Sequence, residues 1–323
     1  MQRRTLLVAL ACAAATLASA PASAQGWPDN RPVRILVPAP AGSSLDVLAR
    51  AIGEKLKDRA GATVVVENKP GAGGALATSE VVKAAPDGHT LLLGFNGPLA
   101  TTPLIQKVPY DVAKDLAPVI ITSSQPNVLA IHAALPIRTV ADLVAWAKAN
   151  PGKLNFASVG NGSSSHLNAE LLKSMAGIEA VHVPFNGSPP AVLSTVQGDT
   201  QMIFAVMQPL QAQVQAGKLR AIAVTTPKRF PLLPDLPAIA ESYPGFEALA
   251  WNGLVAPAAT PRPVIQKINA EVGAILKLPD IVQKMNGFGF DLVGGSPEDF
   301  AKLMASETER WVPVVRRLGL KAE

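Results

Sequence analysis

Two stretches of this chain share one build: a short apolar run, a turn of glycine and serine, then an amphipathic helix. The first covers residues 37–50 (VPAPAGSSLDVLAR). The second is an apolar approach at 154–157 followed by SVGNGSSSHLNAELL (158–172). A helix start leaves its first backbone N–H groups without partners inside the helix, and the aligned peptide dipoles make that end positive. Serine hydroxyls beside such a start add donors, so each stretch is a candidate anion site. Two of them, far apart in one chain, imply one ligand held between two lobes.

The rest of the pattern agrees with this. Short β-branched runs alternate with helical periodicity: a strand at 33–37, a helix at 45–56, a strand at 64–67, a helix ending near 84 and a strand at 90–94. That order predicts a parallel α/β sheet. A strand at 117–122 and a polar joint at 123–126 mark the first crossing between lobes. A second α/β run follows, with strands near 128–132, 154–157, 181–185, 202–206 and 221–225. The chain returns at 248–255 and ends in helices near 260–276, 279–285 and 297–317 around a short strand at 291–292. The expected division is lobe 1 from 25–124 plus 249–323 and lobe 2 from 125–248.

With 323 residues, 48% hydrophobic and 16% charged, the chain is long enough for two cores and too apolar for long disorder. The first 24 residues have the form of an export signal: Arg3 and Arg4, an apolar stretch at 6–18, and Ala22-Ser23-Ala24 at the cleavage position. The expected mature chain begins at Gln25. Without the two arginines the formal charge drops from +5 to +3, and no basic run offers a nucleic-acid surface. The single cysteine, Cys12, lies in the signal, so disulfides, cysteine metal sites and cysteine nucleophiles are excluded from the mature chain. The four histidines (His89, His132, His166, His182) show no metal-ligand spacing.

Several residues invite a chemical role. His166 follows Ser163, Ser164 and Ser165, a grouping open to a secreted serine hydrolase. No G-x-S-x-G elbow occurs, however, and a serine directly before its base at a helix start does not present a triad. The serines are better suited to donating to an anion, one of them also capping its helix. Asp46 stands in a helix's first turn, where it either pairs with the dipole and braces the loop, or serves as a base or as a contact to an amine or hydroxyl on the ligand. Gly71-Ala72-Gly73-Gly74 completes no nucleotide-loop pattern and is a tight turn. Phe204, at the end of an apolar strand, and Trp251 with Asn252, where the chain crosses back, are candidate cleft walls.

These segments resemble the Bug/TctC family of extracytoplasmic solute-binding proteins of tripartite tricarboxylate transporters. The resemblance is carried by the stretches at 37–50 and 158–172, with VVVENKPGAGG (64–74), AAPDGHTLLLG (84–94), VPYDVAKDLAPV (108–119), VHVPFNGSPPAV (181–192) and LVAPAATPRPV (254–264) in family order. It implies a type II periplasmic-binding-protein fold that closes like a flytrap on a small carboxylate, with no catalytic residue, cofactor or metal. It further implies a monomer in the periplasm that serves a membrane permease or, in a second reading, a signalling receptor. By that resemblance the ligand loops are Ala39, Ala41, Gly42, Ser43, Ser44 and Asp46 on one side, and Ser158, Gly160, Gly162, Ser163, Ser164, Ser165 and His166 on the other. Asn96, Gly97, Phe185, Asn186, Phe204 and Trp251 are further walls. Family members usually carry an aromatic where Ala39 stands, glycine at Ser43 and threonine at Leu45. The opened volume at Ala39 points to a bulkier carboxylate.

Overall fold

A computed structural model describes residues 26–320; the expected export signal, its expected cleavage after Ala24 and the last three residues lie outside it. The first half of the chain runs β1 (Val33–Val37), α1 (Ser44–Ala60), β2 (Val64–Asn68), α2 (Ala75–Val82), β3 (Thr90–Phe95), the short α3 (Thr102–Ile105) and α4 (Val112–Asp115), and β4 (Leu116–Pro126). The next stretch is β5 (Val128–His132), α5 (Val140–Ala149), β6 (Asn155–Ser158), α6 (Ser164–Ala176), β7 (Val181–Pro184), α7 (Ser188–Gln197), β8 (Met202–Ala205), α8 (Met207–Gln215) and β9 (Leu219–Val224). Then come β10 (Leu249–Pro257), α9 (Arg262–Ile275), α10 (Pro279–Asn286), β11 (Asp291–Gly294) and α11 (Pro297–Arg317).

The strands form two sheets, in the orders β11-β4-β10-β3-β1-β2 and β7-β6-β8-β5-β9. In the first, β2, β1 and β3 are parallel, as their helical crossovers require, whereas the returning β10 pairs antiparallel with both β3 and β4. The second is mixed too: β6 is parallel to β7 and β8, and β5 is antiparallel to β8 and β9. The mixed character comes from the strands that link the sheets, which enter from the opposite end.

Both faces of each sheet are covered, so the inner strands carry apolar residues on both faces rather than on alternate positions only. On one face of the first sheet Ile35, Val37, Leu91 and Leu93 pack with Leu48 and Ile52 of α1 and Ile268 and Val272 of α9. Leu36 and Leu92, one residue out of phase, meet Ala77, Val81, Trp251 and Phe300 on the other. In the second sheet Leu129, Phe156 and Phe204 face α5 and α6, and Val128, Ala157 and Ile203 face α7 and α8.

Two crossings join the sheets, and they are tied to each other. The Asn127 backbone N–H donates to Thr225 Oγ1 (2.9 Å), Thr225 N–H donates to the Asn127 backbone carbonyl (3.0 Å), and Ala248 N–H donates to the Thr225 carbonyl (3.0 Å). The polar joint expected at 123–126 is not a loop. It extends β4, because Ser123, Ser124, Gln125 and Pro126 all pair with 249–252 of β10. The C-terminal helix belongs to both halves: Phe300 and Met304 pack on the first sheet, while Trp311 and Val315 enter the core of the second.

Candidate functional site

The starts of four helices meet at the cleft between the sheets. Its lining takes Ser43 and Ser44 from the start of α1, Ser164 and Ser165 from α6, Gly187 and Ser188 from α7, and Ala205 and Val206 from α8. No Asp, Glu, Lys, Arg or His lines it. What meets an anion there is backbone: the N–H groups of Ser44 and Leu45, and of Ser164 and Ser165, have no acceptor inside their helices and lie at the positive ends of the helix dipoles.

Local chemistry explains each start. Ser43 (φ −69°, ψ 162°) and Ser163 (φ −67°, ψ 159°) hold the extended cap conformation, and their hydroxyls accept from Asp46 N–H and His166 N–H, each at 3.3 Å. Ser163 Oγ also donates to the Gly160 carbonyl at 2.6 Å. It is thus spent on the loop, and Ser163→Ala should lower stability by about 1 kcal/mol in urea titrations. The hydroxyls of Ser164 and Ser44, one residue further on, have no hydrogen-bond partner among the described residues, and both serines line the cleft. At α7 the chain has Pro189 and Pro190 behind Ser188, where a missing N–H costs nothing.

Of the residues expected at the site, Ala39, Ser43, Ser44, Asn96, Ser164 and Ser165 line the cleft. The others lie outside the lining for physical reasons. Asp46 is a brace: it accepts from Gly42 N–H (2.9 Å) and Asn68 Nδ2 (3.0 Å) and pairs with Arg50 (2.9 Å). Burial works to raise its carboxyl, but Arg50, Gly42 and Asn68 outweigh it and hold the group below its usual range. Ala41 and Gly42 are exposed on the outer side of that loop. Trp251 points away from the cleft, edge-on to Phe300 at 5.6 Å, because side chains alternate along β10 and its neighbours Ala250 and Asn252 take the cleft side. Phe204 is wholly buried beneath the second sheet, and only its carbonyl reaches the α6 start, accepting from Ser165 Oγ. Phe185 is half-buried in the core behind the loop and Asn186 is exposed, so the turn presents Gly187 and Ser188 instead.

Gly97, Gly160 and Gly162 act by their lack of side chain. A Cβ on Gly97 would lie 2.3 Å from Phe95, and one on Gly162 (φ +75°) 2.8 Å from Thr102 Cα, across the seam between the sheets. Ser158 and His166 sit behind the loop. Ser158 Oγ accepts from Gly160 N–H (3.2 Å) and is 2.6 Å from His182 Nε2, while Gly162 N–H donates to His166 Nδ1 (3.3 Å). The imidazoles of His166 and His182 stack 4.0 Å apart, with Phe156 below at 4.8 Å from His182. Burial first, then the His182 and Lys173 charges, pushes His166 down to about 3. Burial and then Lys173 push His182 down to about 4. The pair is neutral at ordinary pH. Because Ser165 Oγ is held by the Phe204 carbonyl and His166 Nδ1 by Gly162, Ser165 and His166 share no hydrogen bond that would activate the serine.

The cleft floor was largely illegible in the sequence. Gln125, Asn127 and Asn252 line it. Gln125 belongs to the polar joint expected at 123–126 and Asn127 follows it directly, so only a polar run that turns out to be buried betrays them, whereas Asn252 stood among the candidate walls.

The family model of the tripartite tricarboxylate transporter family receptor (TctC) matches residues 48–320. Protein BugT of Bordetella pertussis is 35% identical over 324 residues, covering 99% of each chain. The structure of R. palustris Rpa4515 with adipate superposes with a TM-score of 0.89 at 35% identity, covering 92% of this chain and all of that one. MatC (Rpa3494) from Rhodopseudomonas palustris with bound malate gives a TM-score of 0.84 at 32% identity, covering 88% and 99%. Coverage from end to end of both chains, in the fold that seats the cleft, leads to one conclusion: the chain belongs to the TctC family of tripartite tricarboxylate transporter receptors, which includes the Bug proteins.

Proposed function

We propose that this receptor works in the periplasm, where it closes two lobes over a small carboxylate and hands it to the membrane permease of a tripartite tricarboxylate transporter. The observation that carries the reading is the meeting of four helix starts and their serines on one cleft that holds no charged side chain. Such a site stabilises an anion by oriented N–H and O–H donors, which gain strength as closure excludes water. The structures of Rpa4515 with adipate and MatC with malate support a carboxylate as ligand. The lobes are residues 25–124 with 249–323, and 125–248, swinging as a monomer about the laced crossings at Asn127 and Ala248. Ala39 and Leu45, where the family usually carries an aromatic and a threonine, give the wall an apolar patch with room for a bulkier carboxylate. The mature chain starts at Gln25 after removal of the export signal.

A thermal-shift screen against carboxylates tests this. A true ligand at a hundred times its dissociation constant adds about 2.7 kcal/mol to stability. Ser164→Ala should then weaken that ligand about ten- to a hundredfold by calorimetry, the value of a hydrogen bond to a charged group, with the unfolding midpoint of the free protein unchanged. A panel in which no carboxylate shifts the transition would sink the proposal.

A further inference from the structure

The cleft has a second polar pole, on its floor. Asn96 follows β3, Gln125 is near the end of β4, and Asn127 is the crossing itself; all three line the cleft and are 1%, 3% and 2% exposed. Among the described residues, Asn96 Nδ2 and Oδ1, Gln125 Oε1 and Asn127 Nδ2 have no hydrogen-bond partner. Buried polar atoms are normally paired, and leaving one bare costs more than a surface contact returns. Three carboxamides on one lining, with four bare atoms, are a recognition surface waiting for a complementary group. Asn252, whose Nδ2 donates to Ser123 Oγ at 2.9 Å, stands beside them already satisfied.

The chemistry of that group follows from what amides offer. Each side-chain amide brings one acceptor oxygen and one donor nitrogen, and turning the amide over exchanges their places without changing the inventory. A carboxylate only accepts, so it would pair with the NH2 groups and leave the amide oxygens facing a negative charge. An ammonium only donates, and the lining holds no carboxylate to balance it. No lysine or arginine lines the cleft either, so a charged group on the floor would be stripped of water against neutral dipoles alone. A hydroxyl or a primary carboxamide both donates and accepts, carries no charge, and satisfies both kinds of bare atom.

Resting on the carboxylate reading of the helix-start pole, we propose that Asn96, Gln125 and Asn127 select the other end of the ligand. The preferred ligand is a monocarboxylate that bears an uncharged hydroxyl or carboxamide at its far end, rather than a dicarboxylate. The floor is also where the two crossings are laced, so the far end of the ligand touches the part of the molecule about which the lobes turn.

Calorimetric titration of the mature protein with matched chains of roughly four to seven carbons decides the matter. Each length is supplied as the simple alkanoate, the ω-hydroxy acid, the ω-carboxamide acid, the diacid and the diamide. The hydroxy or carboxamide acid of the best length is expected to bind about tenfold or more tighter than the diacid and alkanoate of that length. Gln125→Met and, separately, Asn127→Ser should shrink that gap to within about threefold; circular dichroism and the unfolding midpoint show that each variant is folded. A diacid that binds tightest, or a gap that persists in both folded variants, overturns the floor assignment. A diamide that binds as well as the acids overturns the carboxylate reading and leaves the floor intact. No binding by any member overturns both.

Discussion

Gly73→Val is expected to weaken ligand binding by about ten- to a hundredfold while leaving the free protein folded. Gly73 has φ +60° in the tight turn before α2, and a Cβ there would lie 2.6 Å from the Asn161 carbonyl and 3.3 Å from Thr102 Oγ1. Asn161 belongs to the glycine–serine loop of the second sheet, so the severe clash with its carbonyl exists only when the two sheets are together as seen here, whereas Thr102 lies in the same half as Gly73. Overpacking of this kind costs about 1–3 kcal/mol. The part that comes from Asn161 falls on the closed arrangement and so is subtracted from affinity, at tenfold per 1.4 kcal/mol. The same seam is held by Thr101 Oγ1, which donates to the Gly162 carbonyl, and is crowded at Gly187, where a Cβ would come 2.3 Å from Pro40 Cδ. Gly152→Ala is the control. It also has a positive φ (+74°) but open space around it, so it bears the backbone strain without touching the seam. Calorimetry on both, with small-angle scattering for ligand-induced compaction, makes the comparison. Wild-type affinity and compaction in Gly73→Val would show that closure does not use this contact.

The second large effect is on stability against pH. In the folded protein His166 and His182 are held down to about 3 and about 4, whereas an unfolded histidine titrates near 6.5. A histidine depressed by folding contributes its stability in full above the unfolded value. As pH falls through 6.5 the unfolded chain takes up protons that the folded chain refuses, and stability drains away until the folded values are reached. By pH 5 the loss is about 2 kcal/mol from His166, and less from the more exposed His182 after solvent screening. The neighbouring charge is a cation, Lys173, whose Nζ lies 5.5 Å from the Phe156 centroid and 2.8 Å from Glu170 Oε1. Buried Glu307, its carboxyl pushed up by desolvation, titrates in the opposite sense on α11. His182→Phe isolates the imidazole share: it continues the Phe156 stack without a titrating group, so the drop between pH 7 and pH 5 should become shallower. Urea unfolding at the two pH values measures it. Equal free energies at pH 7 and pH 5 in the parent protein would contradict the buried, neutral stack.

Much of the secondary structure could be read because its signals are local. The strand at 128–132 and the helices at 140–149 and 297–317 were expected where they occur. Apolar periodicity sets their interiors, and Thr139 with Asp142 and Ser296 with Asp299 close capping boxes at the helix starts. The candidate site was legible only where function rides on such a signal. Ser43, Ser44, Ser164 and Ser165 mark helix starts, and a helix start brings its donors wherever it goes. Which of two adjacent serines is spent as the cap and which faces the cleft was not legible, since that depends on where the helix begins to within one residue. Nor was the side taken by Trp251 and Asn252, which follows from strand register against β3 and β4.

By itself, then, the sequence determined an α/β chain of two sheets with glycine–serine helix starts fit for an anion. Those are properties of segments, governed by propensity, capping and period. The tertiary structure alone decided that β4 runs on through Pro126, that α11 packs into both cores, and that Gln125, Asn127 and Asn96 share one floor. These depend on contacts between residues more than a hundred positions apart, such as Asn252 on Ser123. A polar run reads the same from sequence whether it meets water or is folded inward to meet a ligand.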